Sequence, residues 1–305
     1  MANLNKIAIE PKTFPAYEKA ILESGGEPCQ IASDVTALVW TDYSQPLALE
    51  KMLLANPQLE WVQLPFAGVD TFSGVLKHPV RFTSAKGSYS EPVAEHALML
   101  CLALGRAIPE RVRATSWGKK FAKSLYDSQV LIVGAGGITA ELIRLLEPFR
   151  ANITVVRNLD QAMYGAKTTL PLAALASELP KADFVVLACA LTEQTRHLFD
   201  LAMFKNMRPD AYLVNIARGA VIISDDLLTA LQTGVIAGAG IDVTEPEPLP
   251  DGHPLWNEPN LIITPHTADT NEMVIRMFSE RLRLNTRAFL GQGDWVGIVD
   301  SELGY

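Results

Sequence analysis

The chain is poor in cysteine: three in 305 residues, Cys29, Cys101 and Cys189, far apart and without paired spacing. That excludes a disulfide-stapled secreted scaffold and a cysteine-built zinc site, and no metal site is expected. Cys101 and Cys189 lie in apolar runs, where a thiol is an ordinary core residue. Long hydrophobic runs are missing as well; none approaches the roughly 20 apolar residues a membrane helix needs. The opening Met-Ala-Asn-Leu-Asn-Lys lacks the apolar core of a signal peptide. Basic charge is in deficit: 26 Lys and Arg against 34 Asp and Glu leave a net charge of −8. A general binder of nucleic acid or anionic membrane would carry the opposite sign. The local basic spots, Arg106 to Arg113 and Lys119-Lys120, read as solvated helix faces. No internal repeat or low-complexity tract is present. These absences leave a soluble, cytoplasmic chain, 49% hydrophobic and long enough for two domains.

What is present is alternation. Strand-like Ile7-Ala-Ile9, Ala37-Leu-Val-Trp40, Trp61-Val-Gln-Leu64 and Arg81-Phe-Thr83 are interleaved with helical patterns over Tyr17 to Ser24 and Leu47 to Leu54. Glu91-Pro92 opens a long apolar helix, Val93 to Leu104, followed by a polar, basic segment reaching Trp117. A second series begins at Val130. It continues through Ile153 to Val156, the short helix Leu172 to Leu179, Phe184 to Ala188, Ala211 to Asn215 and Ile236 to Ile241, and ends at Leu261-Ile-Ile263. Ser224 is read as the N-cap of a helix to Leu231, and one long helix is expected from Asp269 to Leu290. Such alternation specifies parallel sheets with helices on their faces.

The second series starts with Val130-Leu-Ile-Val, then Gly134-Ala-Gly136-Gly137-Ile138-Thr139 and a helical pattern. Strand, tight glycine turn, helix aims the first helical N–H groups and the positive end of the dipole at whatever sits above the turn. Gly134 permits the turn, and Gly136 lets a pyrophosphate reach the backbone. Thr139 stands where a third glycine normally allows close helix–strand packing, so a looser or shifted helix is expected there. Alone, the turn fits dinucleotide binding or an ordinary α/β connection.

Chemistry collects beyond later strand ends, where open α/β sheets bind ligands. Of five histidines, His78 precedes a proline, His197 sits in a polar helix start and His253 in a Pro-rich loop. His96, in the apolar helix, reads as a satisfied core histidine. His266 differs, because it follows the strand Leu261-Ile-Ile263. Arg218 follows the strand ending at Asn215, and Asp242 with Glu247 follows the next.

These residues lie in blocks with a strong resemblance. Asn215-Ile-Ala-Arg218-Gly219, Gly238-Ala-Gly-Ile-Asp242-Val-Thr-Glu-Pro-Glu247-Pro248 and Thr264-Pro265-His266-Thr267-Ala268 resemble the signature blocks of the D-isomer-specific 2-hydroxyacid dehydrogenases, in the glyoxylate/hydroxypyruvate reductase-like branch. Leu191-Thr192 with Thr195, Phe66-Ala-Gly68-Val-Asp70 and Val93-Ala-Glu95-His96-Ala97-Leu98 extend the match over nearly the whole chain, in the family's order.

The resemblance implies an oxidoreductase passing a hydride between a nicotinamide cofactor and a small 2-keto or D-2-hydroxy acid. His266 would be the acid/base, Glu247 would hold its imidazole and raise its pKa, and Arg218 would grip the substrate carboxylate and polarise the carbonyl. Ala67, Gly68 and Val69 would offer backbone N–H groups to that carboxylate. Gly134, Gly136, Gly137, Ile138, Ala190, Thr195 and Ala217 would line the cofactor, Asp242 would accept from its carboxamide, and Asn215 would order the loop presenting Arg218. Where an NAD enzyme usually places an acid to hold the ribose 2′-OH, eighteen residues past Thr139, this chain has Arg157-Asn158 and no acid before Asp160. Arginine suits a 2′-phosphate, so NADP(H) is favoured, with NAD(H) the alternative. Asp269 falls where many members have glycine, and Ala190 where proline often stands.

The implied architecture is α/β with two doubly wound parallel-sheet domains. A flavodoxin-like substrate domain takes residues 1–94 and 271–305, and a Rossmann-type dinucleotide-binding domain takes residues 95–270. The two long helices would be crossovers, with hinge closure between the domains. Trp117 and its basic neighbours resemble the arm that family dimers exchange, which implies a homodimer. With the end so soon after the second crossover, no added regulatory domain is expected. A second function class remains beside the enzyme: a nucleotide-sensing, corepressor-like protein on the same scaffold.

Overall fold

The computed structural model describes residues 5–158 and 161–300. The opening Met-Ala-Asn-Leu and Asp160, both used above, lie outside them. Chain contacts define two compact units, Met1–Tyr89 with Thr270–Tyr305, and Ser90–Asp269.

The first unit holds β1 (Lys6–Glu10), α1 (Pro15–Glu23), β2 (Glu27–Cys29), β3 (Ala37–Trp40), α2 (Pro46–Ala55), β4 (Trp61–Gln63) and β5 (Arg81–Thr83). All pairings are parallel, in the order β2-β1-β3-β4-β5. That is the flavodoxin-like doubly wound order. β3 and β4 are buried at every position, as strands covered on both faces must be. Leu38, Leu49, Val62 and Phe72 belong to the core beneath.

The second unit opens with α3 (Ser90–Gly105), which starts two residues ahead of Pro92, and α4 (Ile108–Arg113). It continues with β6 (Gln129–Val133), α5 (Gly137–Leu146), β7 (Asn152–Arg157), β8 (Thr168–Pro171), α6 (Leu175–Glu178), β9 (Phe184–Leu187), α7 (Leu201–Lys205), β10 (Tyr212–Asn215), α8 (Ser224–Gln232), β11 (Gly238–Ile241) and β12 (Leu261–Ile263). Its sheet runs β12-β11-β10-β9-β6-β7-β8, parallel throughout. The order reverses between β6 and β9, and a doubly wound sheet opens its ligand crevice at the carboxyl ends there. Two apolar cores cover the sheet, one around Val185, Leu213 and Phe204, the other around Leu100, Ile132 and Val214. At the opposite, amino edge, Lys123 bridges Asp183, just before β9, and Asp210, just before β10, at 3.1 and 2.9 Å.

The chain then returns to the first unit in α9 (Asn271–Phe289). Asn285 of α9, fully buried, donates to Gln63 Oε1 at 2.7 Å, joining the helix to β4 through a satisfied polar contact. No helix of the described residues is long and apolar enough to cross a membrane.

Three details depart from the sequence reading. Ser224 is the first residue of α8 rather than its cap: Ile223 holds the N-cap, and the Ser224 hydroxyl donates to Glu245 O at 2.7 Å. The last helix begins at Asn271 instead of Asp269, because the Thr270 side chain accepts from Met273 N and caps it. The stretch Leu172 to Leu179 is not one helix: a 3₁₀ turn comes first, and Pro180 belongs to another that follows the single α turn of α6.

Candidate active site

The glycine turn follows β6 directly. Gly134 has φ of +107°, and a Cβ there would meet Ala188 O at 2.6 Å, so both backbone angle and close approach require glycine. Gly136 is the N-cap of α5, with no side-chain cap bond and open space where a Cβ would lie. Gly136 and Gly137 are exposed. The first-turn N–H groups therefore meet no acceptor among the described residues, an arrangement suited to a phosphate. Thr139 leaves no loose seat: it is fully buried, and its hydroxyl donates to Gly134 O at 3.0 Å. In place of the close packing a glycine would give, a hydrogen bond ties helix to turn.

Further cofactor candidates stand along the same carboxyl edge. Arg157 ends β7, part exposed, its Nη1 donating to Gln161 O at 3.2 Å. Asn158 donates to Gln194 Oε1 at 3.1 Å. After β9, Thr195 is buried, donates to Ala190 O at 2.7 Å and accepts from Thr192 N at 2.8 Å, which closes that loop on itself.

β10 ends at Asn215, which is fully buried. Its Oδ1 accepts from Ala217 N and its Nδ2 donates to Arg218 O, each at 3.0 Å, so one side chain shapes the turn that carries Arg218. Arg218 then runs extended, its Nη1 donating to Ala217 O at 2.8 Å. A Cβ on Gly219 would overlap the Thr244 carbonyl, so this turn lies directly against the loop after β11.

That loop carries Glu247. Its Oε1 lies 2.6 Å from His266 Nδ1, and its Oε2 accepts from Thr244 N at 3.3 Å. The hydrogen bond to Glu247 raises the His266 pKa above the ordinary 6.5, against burial and the Arg218 charge. Burial alone would push Glu247 up, but the His266 hydrogen bond and charge bring its pKa below the ordinary value. Since Nδ1 donates to the ionised carboxylate, Nε2 is the nitrogen left to exchange a proton with a substrate. Arg218 acts electrostatically on both, so the three residues form one cluster. Asp269 stands nearby; burial raises its carboxyl pKa, and the His266 charge opposes that.

His266 itself has φ of +52°, the left-handed region that a non-glycine residue enters only when held. Its N–H donates to Asp242 O at 2.8 Å. The carboxylate of Asp242, 2% exposed, accepts from Thr264 Oγ1 at 2.6 Å, Thr267 N at 2.9 Å and Ala268 N at 3.1 Å. The sequence singled out Asp242 without showing this grip. It gave His96 no role in the site at all, yet His96 Nε2 lies 2.9 Å from Thr264 Oγ1. The partners are 168 residues apart, and helical periodicity carries no signal of such a contact.

In the first unit, Ala67, Gly68 and Val69 form the segment after β4. Their N–H groups donate to no acceptor among the described residues. Phe66 O accepts from Ala85 N at 3.0 Å, and Tyr89 donates its hydroxyl to Pro65 O at 2.9 Å, so the segment is held from both sides.

A seven-stranded parallel sheet with an uncapped glycine turn at its switch point, and a paired histidine and glutamate at neighbouring strand ends, is the arrangement of a dinucleotide-binding enzyme with an acid–base pair. Comparison with known proteins narrows this. Residues 97–268 match the family model of the D-isomer specific 2-hydroxyacid dehydrogenase, NAD binding domain. The chain is 34% identical to a glyoxylate reductase/hydroxypyruvate reductase of Mus musculus, over 72% of this chain and 70% of that one. It is 30% identical to a glyoxylate reductase of Korarchaeum cryptofilum, over 90% and 83%. Its fold matches a D-isomer specific 2-hydroxyacid dehydrogenase of Xanthobacter autotrophicus, solved with NADPH and MES, with a TM-score of 0.85 and 23% identity over 99% of each chain. The chain belongs to the D-isomer specific 2-hydroxyacid dehydrogenase family. It is a nicotinamide-dependent oxidoreductase acting on small 2-keto or 2-hydroxy acids, and the corepressor-like alternative is not favoured.

Proposed function

We propose that the protein reduces a short 2-keto acid of the glyoxylate or hydroxypyruvate kind, with NADPH preferred over NADH. The observation that carries the reading is the 2.6 Å contact of His266 Nδ1 with Glu247, in one cluster with Arg218. The nicotinamide, when bound, supplies the hydride. The chain supplies the rest. His266 Nε2 delivers the proton to the carbonyl oxygen as negative charge grows there, and Glu247 keeps the ring charged and oriented until it does. Arg218 takes the substrate carboxylate in its planar fork and polarises the carbonyl. The N–H groups of Ala67, Gly68 and Val69, which meet no acceptor among the described residues, are the first unit's candidates for binding a carboxylate.

The uncapped turn at Gly134, Gly136, Gly137 and Ile138 takes the pyrophosphate, with Asn158, Ala190, Thr195 and Ala217 along the cofactor. Asp242 Oδ2 accepts one N–H, from Ala268, and its other lone pair serves the carboxamide. NADPH is favoured because Arg157, at the end of β7, is a cation where a 2′-phosphate would lie. Residues 1–94 with 271–305 would serve the substrate and 95–270 the cofactor.

The active form is proposed to be a homodimer. In the segment after α3, Trp117 is 89% and Val112 73% exposed, and Arg106, Arg111, Lys119 and Phe121 line a hollow of about 590 Å³. A second copy of the chain would cover these apolar groups.

The deciding experiment mixes purified protein with NADPH or NADH and glyoxylate, hydroxypyruvate, pyruvate or branched 2-keto acids, following absorbance of the reduced cofactor. Turnover is expected on the shortest acids with NADPH, and no turnover on any of them rejects the reading. Arg157→Asp should move the preference toward NADH; an unchanged preference overturns the phosphate assignment.

A further inference from the structure

His96 lies on α3, outside the loops that carry the proposed chemistry, and its side chain is 14% exposed. Its Nε2 stands 2.9 Å from Thr264 Oγ1 and 3.4 Å from Asp242 Oδ1. The Thr264 hydroxyl has one proton, and at 2.6 Å from an acceptor-only carboxylate that proton points to Asp242. The ring nitrogen facing Thr264 must then be the donor, which sets His96 with its proton on Nε2.

The strut has a firm base. Ala97 and Leu100 of α3 are fully buried, and a Cβ on Gly240 of β11 would meet Leu100 Cβ at 3.2 Å. The helix therefore lies close against the strand that ends at Asp242. Its other end is the acid–base loop. Asp242 holds three successive N–H groups, of His266, Thr267 and Ala268, and through them the left-handed backbone of His266. Thr264 is the hydroxyl shared by His96 and Asp242.

We propose that His96 is a positioning residue of this oxidoreductase, which through Thr264 and Asp242 sets the backbone of His266 and hence the His266–Glu247 pair. This rests on the reading of His266 as the acid/base, and the NMR arm of its test does not depend on substrate. Positional errors near 1 Å at a reacting group reduce rates on the order of 100-fold, so a strut of this kind has a measurable effect.

The test compares His96→Leu, which removes the donor, with His96→Gln, whose amide nitrogen reproduces Nε2–H. Three readouts are taken: steady-state kinetics, the thermal midpoint, and the titration midpoint of the His266 ring by NMR. For His96→Leu, kcat should fall about 10- to 100-fold. The His266 midpoint should move down toward the ordinary value of 6.5, as the Glu247 bond loosens. His96→Gln should recover most of both. Glu247, Arg218, Asp242 and Asp269 are the charged groups around His266, and all are unaltered in these variants. The proposal is overturned if the His266 midpoint in His96→Leu stays at the parental value, or if His96→Gln is as impaired as His96→Leu. A drop confined to the thermal midpoint also overturns it, since that marks His96 as packing alone. Absence of turnover in the parent rejects the substrate reading, while the NMR titration still decides the strut.

Discussion

The turn after β6 and the loop after β12 stand at the carboxyl edge of one sheet and are built on opposite plans. The first uses glycines and leaves its N–H groups open: Gly136 caps α5 with no side-chain bond, and nothing lies where its Cβ would be. The second has no glycine between Thr264 and Thr270, and commits three successive N–H groups to one buried residue, Asp242. Open N–H groups suit a ligand that arrives and leaves with its own negative charge. Committed N–H groups suit a side chain that must return to one position on every turnover. Both plans use positive φ, at Gly134 where it costs little and at His266, where the Asp242 carbonyl takes its N–H and the Asp242 carboxylate the next two.

The comparison can be broken from either side. The largest effect is expected from His266→Ala, which removes the proposed proton donor on the committed loop. Turnover should fall on the order of 100- to 10,000-fold with nucleotide affinity retained; unaffected turnover rejects the assignment. Next is Gly134→Ala on the open turn. Left-handed strain of about 1–3 kcal/mol and the clash with Ala188 O should weaken nucleotide binding at least tenfold, as read by fluorescence titration.

The pH profile comes third. On the proposed mechanism reduction needs His266 protonated, and the hydrogen bond to Glu247 holds its pKa above the ordinary 6.5. The reductive rate should fall with pH around a midpoint above 6.5, while the oxidative rate rises there. A midpoint at or below pH 6.5 would contradict the Glu247 pairing. The smallest effect is Thr139→Val, which leaves Gly134 O without its hydroxyl donor. A loss of about 1 kcal/mol is expected, with a lowered thermal midpoint; no change would mean that packing alone seats α5.

Sequence made these two regions legible to different depths. The strands were readable because most are unbroken apolar runs between turn residues: Ala37–Trp40, Phe184–Leu187 and Leu261–Ile263 fall where the pattern puts them, to within a residue. The edge strands Glu27–Cys29 and Thr168–Pro171 were not, being short, partly exposed and interrupted by proline. The glycine turn was visible because its purpose lies in residue types with unusual backbone freedom. Arg218, Glu247 and His266 were visible by their blocks and their places beyond strand ends. What holds His266 was hidden, because a grip of side chain on backbone leaves no local pattern. A histidine among apolar neighbours on α3 gave no hint of a partner beyond β12.

The three-fold hold of Asp242 also makes the segment from Thr264 to Ala268 a measured length of chain. Inserting or deleting one residue there would slide the histidine past its glutamate while every strand of the sheet stayed paired. Variation in loop length among descendants of this gene should therefore collect elsewhere, as in the exposed turn from Gly291 to Asp294.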